Sequence, residues 1–167
     1  AFARNPMTLA NLGYDLNLLS KGRFILGLGS QIKPHITKRF SMPWSRPAAR
    51  MKEMILAIQA IWDCWQNGSK LDFRGEFYSH TIMTPFFTPE AHSYGPPKIY
   101  VAAVGPLMTK SVAESADGLL VHPFHTLKFM EETTLPGVKE GLENANKNEE
   151  DFDFSISVMT ATGIDEQ

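Results

Sequence analysis

The sequence has a single cysteine, Cys64, among its 167 residues. That excludes an internal disulfide and any multi-cysteine metal site, and one free thiol suits a reducing compartment such as the cytoplasm. No apolar run approaches the ~18 residues that a bilayer-spanning helix needs. Neither sign of charge dominates: 16 Lys and Arg stand against 18 Asp and Glu, for a formal charge of −2. Nucleic-acid binders usually carry a basic excess, so neither a nucleic acid nor a membrane is expected as a partner. HExxH, paired CxxC, P-loop and GxSxG patterns are all missing, which leaves zinc hydrolysis, NTP hydrolysis and α/β-hydrolase chemistry without support. No metal is expected. An initiator methionine and a signal-peptide pattern are also missing at Ala1. The chain stops at Gln167 just after an apolar run, so both ends read as cut, and a fragment is expected.

What is present is ordinary globular composition, 43% hydrophobic and 20% charged, enough for one core. Asn5-Pro6 suits a helix start, Asn as cap and Pro in the first turn. Leu9, Leu12, Leu16 and Leu19 then recur at helical spacing, and Gly22 is placed to end that helix in a left-handed conformation. Residues 23–29 read as a strand apolar on both faces, as in a parallel sheet. A polar, basic loop runs from Ser30 to Ser45. A long helix follows from about Arg46-Pro47, with Met51, Met54, Ile55, Ile58, Ile61, Trp62 and Trp65 on one core-facing stripe, closed by Asn67-Gly68. Residues 71–78 read as a hairpin turning at Arg74-Gly75, and Pro85, Pro89, Pro96 and Pro97 punctuate an aromatic linker. Strands at 98–104, 118–122 and 154–160 alternate with helices at 107–116 and about 126–146. Such alternation implies parallel strands joined by crossovers, either in an open doubly wound sheet or in part of an eight-fold barrel.

In both architectures ligands bind at the C-terminal ends of the strands. The expected ligand face therefore holds residues 29–45, Gly105-Pro106, residues 122–126 and those after Thr160, together with residues 1–5 if Ala1–Ala3 end an earlier strand. The hairpin and the Pro-rich linker fall at the opposite end, which places His80 and His92 away from chemistry. Between Gln31 and Lys52 stand six cations, Lys33, Lys38, Arg39, Arg46, Arg50 and Lys52, with no Asp or Glu. Such a loop suits an anionic ligand, or is a solvated charge run. Gly105-Pro106 joins a strand to a helix N-terminus, where backbone N–H groups can hold a phosphate, or is a plain turn. His122, at a strand's C-terminal end, and His35, in the basic loop, are the candidate catalytic groups; a lone His is also commonly just a satisfied side chain. GLGS at 27–30 is not a dinucleotide fingerprint, because Ile32 takes the place of the third glycine.

Several blocks occur in a fixed order: Asn5-Pro6 and its helix, KGRFILGLGS at 21–30, the helix 50–65, FRGEFY at 73–78, PKIYVAAVGP at 97–106 and ADG at 116–118. On these the chain resembles the bacterial-luciferase-like superfamily, and within it the branch of coenzyme F420-dependent oxidoreductases that includes methylenetetrahydromethanopterin reductase. The resemblance implies an α/β fold that is part of a TIM (β/α)8 barrel, from the end of strand three through strand seven. It implies one domain, 1–167, incomplete at both ends, with 69–97 as a hairpin and Pro-rich insertion. It also implies a homodimer acting on a small-molecule substrate. Cofactor contacts would come from Phe2, at a strand-three bulge, from Gly29, Ser30 and Gln31 after strand four, and from Ala102, Ala103, Val104, Gly105 and Pro106 after strand five. Lys38 and Arg39 of the basic loop suit the acidic cofactor tail. The implied reaction is hydride transfer between F420 and an organic substrate; the alternatives are an FMN-dependent monooxygenase on the same scaffold, and an inactive partial barrel or binding module. One departure is clear: Gln31 and Ile32 stand where some deazaflavin enzymes carry an acid. The family's strand-two His and strand-one acid lie outside this chain.

Overall fold

The computed structural model describes residues 1–160 and 162–163. Its centre is a four-stranded, fully parallel sheet of β1 (Ile25–Gly29), β4 (Lys98–Ala103), β5 (Gly118–Val121) and β6 (Asp153–Ile156), in that spatial order. A two-stranded antiparallel hairpin, β2 (Phe73–Arg74) with β3 (Ser79–His80), stands apart. The helices are α1 (Pro6–Leu19), α2 (Pro47–Asn67), α3 (Pro106–Ser115), the single turn α4 (Leu127–Phe129) and α5 (Leu135–Asn144). A π-helical turn, Met130–Thr134, joins the last two.

Local chemistry sets most boundaries. The Asn5 side chain accepts from Thr8 N at 2.8 Å and caps α1, while Gly68, left-handed at φ 74°, ends α2. At the end of α1 both Lys21 and Gly22 are left-handed, one residue more than expected. The α1 face turned to the core is Pro6, Leu9, Ala10, Gly13, Tyr14 and Asn17. The leucine stripe read from spacing is therefore rotated, and Leu19 is 77% exposed. Close packing explains the shift, because a Cβ on Gly13 would stand 3.0 Å from Trp62, whose indole N–H donates to Ala10 O at 3.0 Å. The α2 stripe Met51, Met54, Ile55, Ile58, Ile61, Trp62 and Trp65 is buried throughout.

The strands are not buried on both faces. Leu26, Leu28, Ile99, Val101 and Leu119 are buried, whereas Ile25, Phe154 and Ile156 of the same sheet are 41–45% exposed. Burial alternates along β1, the pattern of a sheet covered on one face. At the base of the sheet the ADG block explains itself. Asp117 accepts from Ile99 N at 2.8 Å, and a Cβ on Gly118 would come within 2.8 Å of Asp153 O and of the Tyr100 ring. The last strand ends at Ile156 rather than Thr160. Ala1–Ala3 form part of a turn closed by Arg4 N to Ala1 O at 2.9 Å, and the Ala1 amino group donates to Gly29 O at the end of β1 at 2.6 Å. Part of the ligand-face segment expected after Thr160 lies outside the described residues.

The hairpin does not stay at the far end. After α2 the chain climbs back along that helix. The turn 75–78 packs against the start of α2, where Glu53 accepts from Glu76, Phe77 and Tyr78 N at 2.9, 2.6 and 2.7 Å, and Glu76 pairs with Arg46. The bend itself spans Gly75 N to Tyr78 O, at 2.8 Å, rather than Arg74-Gly75 alone.

Candidate active site at the mouth of the parallel strands

The C-terminal ends of β1, β4 and β5 open into a cavity of about 850 Å³. Its walls are Gly29, Ser30, Gln31 and Ile32 after β1, Ala102, Ala103, Val104 and Gly105 after β4, Leu120, Val121, His122 and Pro123 at β5, with Ala1 and Met108. The backing is small: Gly29 and Ala102 are register partners across β1 and β4. Gln31 holds a left-handed backbone, φ 60°, at the edge of the cavity, where a non-glycine residue stores strain. Its side-chain oxygen accepts from Ile32 N at 3.3 Å.

Helix α3 starts at the cavity wall. Gly105 is its N-cap, Pro106 its first residue, and no side chain caps it, so its leading N–H groups and dipole remain available to an anion. Pro106 itself faces the neighbouring groove of about 760 Å³ between the starts of α2 and α3.

Other expected residues lie elsewhere. Phe2 is 1% exposed; its ring packs edge-on to Trp44 at 5.9 Å and beneath Arg50 at 4.7 Å, and Ala1 reaches the cavity in its place. His35, Lys38 and Arg39 sit on a π-helical turn, His35–Arg39, outside the cavity wall. This helical turn inside the basic loop was not read from the sequence. Neither His80 nor His92 lines the mouth; His92 packs on Tyr14 at 4.2 Å, and burial pushes the His80 ring below the usual histidine range.

The six cations divide. Arg46 pairs with Glu76, Lys52 donates to Glu114 at 2.5 Å, and Arg50 is buried, donating to Tyr78 Oη at 2.9 Å and Pro43 O at 2.8 Å. Lys33, Lys38 and Arg39 have no carboxylate partner among the described residues. Met108, Leu120 and Val121 are cavity walls that the sequence reading did not name. Leu120 could have been found from strand alternation, since it stands between the core-facing Leu119 and Val121.

Among the described residues, no helix is long and apolar enough to cross a membrane, and no group of three or more His, Cys, Asp or Glu is placed to hold a metal.

The chain is 53% identical over 166 residues to the uncharacterized protein Rv1360 of Mycobacterium tuberculosis, covering 99% of this chain and 49% of that one. It is 28% identical over 169 residues to an F420-dependent glucose-6-phosphate dehydrogenase of Amycolatopsis mediterranei, covering 99% and 48%. Among solved structures, an F420-dependent secondary alcohol dehydrogenase in complex with an F420-acetone adduct superposes with a TM-score of 0.71 at 16% identity, over 91% of this chain and 44% of that one. The chain thus spans about half the length of the curated relatives it matches, and its parallel sheet and flanking helices form part of a barrel. The model of the luciferase-like monooxygenase family matches residues 1–167, and the chain belongs to that family.

Proposed function

We propose that the protein is an oxidoreductase that transfers a hydride between coenzyme F420 and a small organic substrate, with the deazaflavin ring resting in the mouth cavity. The observation that carries this reading is the conjunction of a shallow, small-residue recess with an uncapped helix N-terminus on its wall.

The residues fit the group. A Cβ on Gly29 would take up space 3.8 Å from the Ala102 methyl, so the glycine lets a flat ring approach the backbone. Gly105 has nothing within 4 Å of where its Cβ would stand, which leaves the first turn of α3 open to a phosphate. Lys33, Lys38 and Arg39 supply positive charge for an acidic tail. F420, when bound, accepts or supplies a hydride at a ring carbon. The chain's own residues bind and orient it: Gly29 and Ala102 back the ring, the N–H groups of α3 hold the phosphate, and Ile32, Met108 and Leu120 limit water. His122 is the histidine of the cavity wall, and in this reading it is the candidate group for moving a proton.

The family's monooxygenase designation favours one second reading, an FMN-dependent oxygenase whose phosphate uses the same helix terminus. Titrating the natural full-length protein with F420 and with FMN separates the two. F420 binding accompanied by F420-dependent turnover supports the proposal. FMN binding without F420 binding reverses it, and binding of neither leaves a structural or binding module.

A further inference from the structure

We propose that the chain pairs with a second copy of itself through the Pro-rich linker, with Phe86 of each copy seated in a recess beside the same linker on the other. The proposal goes beyond the hydride-transfer reading and does not depend on it.

The linker turns apolar surface outward. Ile82 is 76% exposed, Phe86 90% and Phe87 71%. Single exposed apolar side chains are ordinary, but a contiguous cluster of them marks a contact surface. This cluster is also held in place. Pro85 opens a 3₁₀ turn, Pro85–Phe87, and the Thr84 carbonyl accepts from Phe87 N at 3.0 Å and from Thr88 Oγ1 at 2.9 Å. The Phe86 and Phe87 rings meet edge-on at 5.1 Å. Just before the turn, Met83 Sδ accepts the Trp65 indole N–H at 3.4 Å, which pins the linker to α2. A turn fixed in this way loses little conformational freedom when it docks.

Shape selects a second copy as the occupant. A recess of about 640 Å³ runs from the end of α2 to the linker, with Cys64, Leu71, Ile82, Met83 and Pro85 in its walls. Phe87 lines a smaller recess of about 340 Å³ against Met7 and Asn11 of α1. Phe86 lines neither, so its ring is the free tip. Pro85 belongs both to the turn and to the larger recess, so tip and recess lie side by side. A two-fold axis through this face seats each Phe86 in the other copy's recess, the self-complementarity that an isologous contact needs. Four phenylalanine rings would bury on the order of 500 Å², the aromatic centre of an interface whose usual total is about 1,600 Å².

Charge selects the same occupant. Lys70 and Glu90 are the charged residues of the larger recess. Both are exposed, and neither has an ion-pair partner among the described residues. The axis that exchanges tip and recess also brings Lys70 of each copy toward Glu90 of the other, so both charges are answered at once. The parts of the barrel that this chain does not span extend the sheet from the free edges of β1 and β6. The linker lies instead over α1 and α2, where His92 packs on Tyr14 at 4.2 Å and Gln66 donates to His92 O at 3.0 Å.

Sedimentation velocity of the full-length protein between about 1 and 100 μM should show a dimer. Phe86→Asp should keep the wild-type circular dichroism and weaken association about 30-fold or more. Lys70→Glu and Glu90→Lys should each weaken it about tenfold, and the two together should restore it to within about threefold of wild type. A wild-type monomer across the range, wild-type association in Phe86→Asp, or a double exchange no better than the single ones overturns the proposal. If Phe86→Asp fails to fold, the charge exchange decides alone. Association is read without cofactor, so failure to bind F420 removes the proposed function and leaves this inference standing.

Discussion

Arg50 donates from Nε to the Tyr78 hydroxyl at 2.9 Å, which ties the first turns of α2 to a hairpin 28 residues further along the chain. The guanidinium is buried and has no carboxylate partner among the described residues. Tyr78 Oη and Pro43 O accept from it, and its faces meet the rings of Phe2 at 4.7 Å and Tyr78 at 5.6 Å. Burial pushes the Tyr78 phenol above its ordinary range, against a smaller opposing effect of Arg50, so the hydroxyl keeps its proton. Tyr78→Phe strands a buried charged donor and should cost about 1.5–3 kcal/mol, read as a lower urea midpoint. Arg50→Lys should be comparably damaging, since an ammonium cannot stack and fork in this way.

Glu53 and Gly75 act as one unit. The carboxylate accepts three consecutive backbone N–H groups of the turn, and a Cβ on Gly75 would overlap that carboxylate. The glycine of FRGEFY is thus required by close approach rather than by a left-handed backbone. Glu53→Ala should cost about 2–4 kcal/mol, because three N–H groups lose a charged acceptor. Gly75→Ala should be destabilising in the wild type and much less so on the Glu53→Ala background. Simple addition of the two losses in urea unfolding would show that the residues are independent.

The alternation of strands and helices was legible because each periodic run is bounded by a Pro, Gly or Asn with a definite backbone role, as at Asn5, Gly68 and Gly105. The cavity was legible in outline because parallel strands deliver their C-terminal ends to one face. What could not be read was anything set by contacts distant in sequence. The outward rotation of the α1 leucines depends on Trp62 packing against Gly13. The ascent of the hairpin depends on Glu53, which looks in sequence like any solvent-facing acid of a helix. The division of the six cations depends on Glu76 and Glu114.

Glu114 joins three helices, accepting from Lys52 at 2.5 Å and from Asn144 at 3.1 Å. Burial alone would raise its carboxyl pKa, but the Lys52 and Asn144 bonds and the nearby lysines outweigh it and hold the value below the usual range. A depressed folded pKa contributes stability that is complete above the unfolded value of about 4.3 and lost as pH falls through the folded one. Lys52 is partly exposed, so screening keeps the contribution small. Glu114→Gln should cost about 1 kcal/mol at pH 7, and the difference from wild type should shrink below about pH 4. An equal loss at pH 3 and pH 7 would show that shape rather than charge is responsible.

The partition of the basic loop predicts which cations serve the cofactor. Arg46, Arg50 and Lys52 are engaged by Glu76, Tyr78 with Pro43, and Glu114, so replacing them should act on stability. Lys33, Lys38 and Arg39 have no carboxylate partner among the described residues, and they follow β1 on the face where ligands bind. Exposed charge pairs contribute about 0.2–1 kcal/mol each, so the double change Lys38→Ala with Arg39→Ala should weaken F420 binding by roughly two- to thirty-fold. The loss should contract at high salt, because exposed charges are screened within about 10 Å at 0.1 M. Turnover at saturating cofactor should hold, since neither side chain reaches the cavity wall. Fluorescence titration of F420 against wild type and variant at two ionic strengths reads all of this. Unchanged affinity at low salt would make Lys38 and Arg39 a solvated surface and leave the start of α3 as the holder of the tail.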